Sequence, residues 1–179
     1  QARGGCSCAG PYGHRLLDIG LAQSVEYDQA LRGGFEGVKP GWVRVNFNYF
    51  INDATFDFLL AAVEFIASEG WKLLPDYTFD PVTALWSHRT VTKPLIHRLS
   101  DVHYDKGSLR FKSEHLREPE SALPTYLAKA GRIVKQAERR HSSAQCESIT
   151  WSEACEALRW FPLPADAQAT LAADAHLRK

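Results

Sequence analysis

Residues 42–70 read WVRVNFNYFINDATFDFLLAAVEFIASEG, and the period of their apolar positions changes partway along. From Trp42 to Phe50 side chains alternate. Val43, Val45, Phe47 and Tyr49 fall on one face; Trp42, Arg44, Asn46, Asn48 and Phe50 fall on the other. That pattern predicts a strand with one apolar face and one mixed face that carries an arginine. Asn52 then reads as a helix N-cap with Asp53 in the first turn. Phe56, Leu59, Leu60, Val63, Ile66 and Ala67 recur at helical spacing, and Gly70 closes the run. A strand feeding a helix that packs on a sheet places the chain in the α/β class.

Upstream, Lys39-Pro40-Gly41 predicts a turn into the strand, and Gly33-Gly34 ends a helix. That helix is expected from about His14 through 16–30, with Leu16, Leu17, Leu21, Val25 and Leu31 as a loose apolar face. Before it, residues 3–13 read RGGCSCAGPYG, with four glycines and one proline, which favours a loop. Downstream of Pro75 the character changes. Residues 86–104 show no clean period, and residues 110–120 are charged and read as partly irregular. An amphipathic helix is expected over 121–140 and a shorter one from Ser152 toward Trp160, stopped by Pro162 and Pro164. Residues 165–179 are Ala-rich and read as a helix or a frayed tail. The expected organisation is an α/β domain over residues 1–75 and a mostly helical extension over 76–179.

Hydrophobic residues make up 45% of the 179-residue chain and charged residues 23%, as in an ordinary globular protein. Lys plus Arg and Asp plus Glu balance at 21 each, so no global field points to nucleic acid or an anionic membrane. Apolar runs are too short to span a bilayer, and no signal-peptide pattern stands at the start. Without a secretion signal, Cys6, Cys8, Cys146 and Cys155 are expected as free thiols in the cytoplasm. The chain contains no Met and opens on Gln1, which reads as a truncated sequence.

The residues that carry chemistry lie early. A cysteine becomes a useful nucleophile when cations stabilise its thiolate and it stays reachable. Arg3 and His14 flank Cys8 on the glycine-rich loop, and Arg44 is a candidate clamp for a carboxylate through its planar fork. Cys6 is either a second loop thiol that resolves or replaces the first, or an unremarkable loop residue. The spacing Cys6-x-Cys8 is tighter than structural zinc prefers. His88, His97, His103 and His115 form no metal-binding array. Cys155, among Ala154, Ala157 and Leu158, reads as a buried structural residue. Trp71, Trp86, Trp151 and Trp160 read as core or interface anchors, since no basic patch accompanies them.

Residues 3–11, RGGCSCAGP, resemble the R-x-G-x-x-C-A-x-P loop of cysteine desulfurases and selenocysteine lyases in the aminotransferase class V family. The segment WVRVNFNY, residues 42–49, followed by Asn52 and a helix, is similar to that family's V-R-x-S-x-x-x-Y-N strand and helix. Together the two motifs extend the resemblance over roughly residues 1–75. It implies the small C-terminal domain of a fold-type-I transferase that uses pyridoxal 5'-phosphate (PLP). It further implies that Cys8 accepts sulfur as a persulfide, that Arg44 binds the substrate α-carboxylate, and that Arg3, the loop arginine, is a second substrate-binding residue. Cleavage of a C–S or C–Se bond in cysteine or selenocysteine belongs to the same expectation, with the cofactor's lysine and phosphate loop expected upstream of Gln1. So do a homodimer and a sulfur-acceptor protein. Asn46 stands where many members carry serine or alanine, and Cys6 adds a thiol. Two alternatives stay open: a class V aminotransferase without sulfur chemistry, and a binding or thiol-carrier module without a cofactor.

Overall fold

A computed structural model describes residues 2–5, 10–90, 101–111, 118–141 and 148–177. The fold is mixed α/β, with helices joined by three two-stranded antiparallel sheets among the described residues. Strand β1 (Ala2–Gly5) pairs with β2 (Trp42–Val45), and between them in sequence lie helices α1 (Gly10–Leu16) and α2 (Leu21–Arg32). Helix α3 (Asp53–Glu69) leads through a 3-10 turn, Gly70–Asp76, into the hairpin of β3 (Tyr77–Asp80) and β4 (Leu85–His88). A second hairpin, β5 (Val102–Asp105) and β6 (Ser108–Phe111), precedes α4 (Leu123–His141), α5 (Glu153–Leu158) and α6 (Pro164–Leu177). No helix among the described residues is long and apolar enough to cross a membrane.

The strand expected over 42–50 ends at Val45. Its pairing with β1 ends at Val45 opposite Ala2. The chain turns instead, with the Ile51 N–H donating to the Asn48 carbonyl at 3.2 Å and Asn46 Nδ2 donating to Asn48 Oδ1 at 3.2 Å. The expected loop over 3–13 is strand at one end and helix at the other. The expected single helix from His14 is two, broken where Asp18 takes φ 54°. Helix α3 starts as expected, with Asn52 Oδ1 accepting from the Thr55 N–H at 2.9 Å. It packs on the Gly70–Asp76 turn and on α4 rather than on a sheet. Phe56, Leu60, Val63 and Ile66 along it stay substantially exposed.

The later helices fold back onto the N-terminal half of the chain. Cys155 and Leu158 of α5 are buried with Tyr27 of α2 and Val38, and the Tyr27 hydroxyl donates to the Leu158 carbonyl at 3.1 Å. Ser152 caps α5 by accepting from the Cys155 N–H at 3.2 Å. Beside this core, Phe79 stacks against Trp151 at 5.7 Å between ring centres and meets Phe161 edge-on at 5.4 Å. Helix α4 holds the Gly70–Asp76 turn by charge: Lys72 lies 2.7 Å from Glu69 and 2.6 Å from Glu138. Asp76 accepts from Arg140 at 2.8 Å and contacts His141 Nε2 at 2.8 Å.

Two of these groups set an alkaline limit. Burial raises the Tyr27 hydroxyl above its ordinary 10.0, and hydrogen bonds to Glu138 and then Glu69 raise Lys72 above 10.5. In both cases the unfolded chain releases its proton first as pH rises. Stability is therefore full below those ordinary values and falls as pH climbs toward the folded-state values. Thermal melts are expected to show a melting temperature that drops above about pH 10. In Tyr27→Phe the drop starts later and is shallower. A melting temperature flat through this range in the native chain contradicts the assignment.

Candidate functional site

The β1–β2 register sets Arg3 directly opposite Arg44, with Ala2 opposite Val45, Gly4 opposite Val43 and Gly5 opposite Trp42. Directly opposed residues of an antiparallel pair point to the same face, and like charges there repel. Both arginines are exposed, and among the described residues neither has a hydrogen-bond or ion-pair partner. They border one open cleft of about 750 Å³ together with Ala2, Val45 and Asn46. No acidic side chain among the described residues lines it.

Close backbone approach ties this ribbon to the turn before β2 and to α1. A Cβ on Gly41 would stand 2.9 Å from the Gly5 carbonyl carbon, so the turn before β2 approaches β1 this closely only with glycine at position 41. Gly5 itself has φ 115°, a conformation L side chains rarely adopt. In α1, a Cβ on Gly13 would stand 2.6 Å from the Trp42 ring. In sequence, residues 6–9 connect Gly5, which Gly41 approaches, to α1, whose Gly13 packs against Trp42. Cys6 and Cys8 themselves lie outside the described residues, as do Cys146, His97 and His115.

His14 lies on α1, half-buried, and borders a different cleft of about 450 Å³ with Gly13, Leu17, Lys39 and Trp42. The structure thus joins Arg3 and Arg44 in one cleft and places His14 in another. Cys155 is a buried free thiol in the core, in keeping with its structural reading. His88 packs edge-on against Tyr77 at 5.0 Å, and His103 lies on the exposed β5–β6 hairpin. No group of three metal-ligating side chains occurs among the described residues. The anchoring role of Gly13, Gly41 and Trp42 was missed in the sequence. Its only trace there is the Pro-Gly-Trp run set against paired glycines upstream.

Two lysines among the described residues are already engaged by carboxylates. Lys39 borders the 450 Å³ cleft but is paired with Glu36 at 3.2 Å, and Lys72 is held between two carboxylates. What the described residues do offer is a pair of free guanidinium forks, which suits the acid groups of a small molecule.

The contact between Gly13 and Trp42 carries a stability prediction. Gly13→Ala pushes a methyl into the indole and is expected to cost about 1–3 kcal/mol. A Cβ on Gly10 meets nothing within 4 Å, so Gly10→Ala serves as the control. Chemical denaturation of both variants checks this, and equal stability of the two contradicts the packing. Compared with known proteins, the chain matches no family model, and no curated protein or solved structure is similar to it.

Proposed function

We propose that this chain is the C-terminal portion of a PLP-dependent class V enzyme, a transferase or lyase that cleaves the C–S or C–Se bond of an amino acid. The observation that carries the reading is the β1–β2 register. The two arginines of the sequence motifs, 41 positions apart (44 − 3), stand opposite each other beside a cleft that no acidic side chain among the described residues lines, and Cys8 comes three residues after β1 ends in sequence. Arg44 binds the substrate α-carboxylate through both ends of its fork. Arg3 keeps the cleft positive, which favours the thiolate form of a nearby cysteine. Cys8 takes the substrate's sulfur, so that cysteine leaves as alanine and Cys8 gains a persulfide. PLP, held by residues outside those described, supplies the electron sink. The exposed apolar face of α3 is in keeping with a domain that packs against more protein, and the same reading includes a cytoplasmic homodimer that passes sulfur to an acceptor protein.

The test is turnover. The full-length protein, supplied with PLP, is expected to release alanine from cysteine, and Cys8→Ala to lose that release while keeping the cofactor's absorbance. Cofactor binding with no alanine release removes the sulfur chemistry and leaves an aminotransferase. No cofactor binding at all removes the enzyme reading.

A further inference from the structure

The cleft between α1, α2 and the start of β2 has the make-up of a small-molecule site. Leu17, Leu31, Pro40 and Trp42 give it apolar walls, and its volume of about 450 Å³ suits a small ligand. Trp42 is fixed in place, because a Cβ on Gly13 would stand 2.6 Å from its ring. A fixed indole at the wall of an apolar cleft favours a flat partner stacked against it. Two polar side chains border the same space. His14 and Ser24 are half-buried, and neither side chain has a hydrogen-bond partner among the described residues. Other helical hydroxyls bond to their own backbone: Ser68 and Thr170 each donate to the carbonyl four residues back, at 2.9 and 3.0 Å. Ser24 does not, so its hydroxyl stays open to the cleft.

Charge narrows the ligand further. Asp28 and Lys39 both border the cleft, and each is already compensated, by Arg32 at 2.7 Å and by Glu36 at 3.2 Å. They are of opposite sign, so together they select neither an anion nor a cation. We propose that this cleft binds a neutral, planar nitrogen heterocycle, stacked on Trp42 with its ring nitrogens hydrogen-bonded to His14 and Ser24. The site is separate from the cleft of Arg3 and Arg44 and does not rest on the enzyme reading. Gly10 keeps it open. That residue borders the cleft, and a Cβ on it meets nothing within 4 Å, so a longer side chain there enters empty space and takes the ligand's place.

The experiment measures binding to the 179-residue chain at neutral pH. Isothermal titration compares benzimidazole, which carries a ring N–H and a ring nitrogen acceptor, with indene, the same fused-ring skeleton without nitrogen. Benzimidazole is expected to bind with a Kd of about 1 mM or tighter. Its advantage over indene is expected to be about two- to tenfold for each hydrogen bond made. His14→Phe and Ser24→Ala are each expected to remove one such factor. Gly10→Leu is expected to abolish binding of both rings without lowering the melting temperature. A melt of each variant verifies folding, and Ser24→Ala, which only removes an oxygen, keeps the test decisive if Gly10→Leu unfolds. The indole N–H signal of Trp42, assigned by NMR through Trp42→Phe, is expected to shift on titration. Benzimidazole-5-carboxylate, which adds a charge to the same ring, is expected to bind no more tightly. Equal affinity for benzimidazole and indene, a preference undiminished in both His14→Phe and Ser24→Ala, or binding that survives Gly10→Leu overturns the proposal. Tighter binding of the carboxylate that Gly10→Leu abolishes overturns it too, because the cleft would then select charge.

Discussion

If the chain belongs to a PLP-dependent enzyme as proposed, replacing Arg44 with glutamine is expected to raise KM for cysteine about ten- to a hundredfold in that PLP-loaded enzyme, with a smaller effect on kcat. The carboxylate is charged throughout the reaction, so its contacts bind ground state and transition state alike. A charge-assisted hydrogen bond contributes about 1.5–3 kcal/mol, and each 1.4 kcal/mol is about a factor of ten. Arg44→Lys is expected to recover only part of the loss, because an ammonium cannot make two parallel bonds in the carboxylate plane. Arg44 sits in the middle of a four-residue strand, and its side chain packs into no core, so the variant keeps the fold. Steady-state kinetics decides the matter. An unchanged KM takes Arg44 out of the substrate site.

The largest stability effect is expected at Leu158. Its side chain is buried against Tyr27, Val38 and Cys155, where α5 meets α2. Leu158→Ala is expected to cost about 2–5 kcal/mol, combining lost burial with a cavity that surrounding side chains only partly fill. For a domain with total stability of about 5–15 kcal/mol, that is a large share. A second signature separates this from general weakening. Cys155 lies in the same cluster, so its alkylation by an added thiol reagent is expected to accelerate as α5 loosens. Leu21, 85% exposed on the first turn of α2, serves as the control, and Leu21→Ala is expected to stay within about 0.5 kcal/mol. Equal stability of Leu158→Ala and Leu21→Ala contradicts a core centred on this cluster.

Local chemistry made some elements readable in advance. Asn52 and Ser152 each accept a hydrogen bond from the backbone three residues on, and both helices begin where those caps stand. The apolar spacing over 121–140 marks α4 to within two residues at its start and one at its end. The elements that escaped depend on partners distant in sequence. Residues 46–50 alternate as a strand should, yet they turn, with Asn46 bonded to Asn48 and the Ile51 N–H donating to the Asn48 carbonyl. Residues 2–5 hold two glycines and look like loop, but they are extended because β2 supplies their hydrogen bonds. The β5–β6 hairpin turns at Lys106-Gly107, both with positive φ, a weak signal within a segment that lacks period. For the site, the presence of Arg3 and Arg44 was readable, and Arg44 was placed on its strand. Their opposition across two strands was not, because a register between segments about forty residues apart is fixed by pairing rather than by spacing.

The most direct test of the account is to find where the sulfur goes. The full-length protein, loaded with PLP and given cysteine, is digested without reductant, and the peptide carrying Cys6 and Cys8 is sequenced by mass spectrometry. The expected result is one extra sulfur on Cys8, absent without cysteine and slower to accumulate in Arg44→Gln at the same cysteine concentration. A peptide that gains no sulfur while alanine accumulates, or a sulfur found on Cys155 instead, contradicts the account.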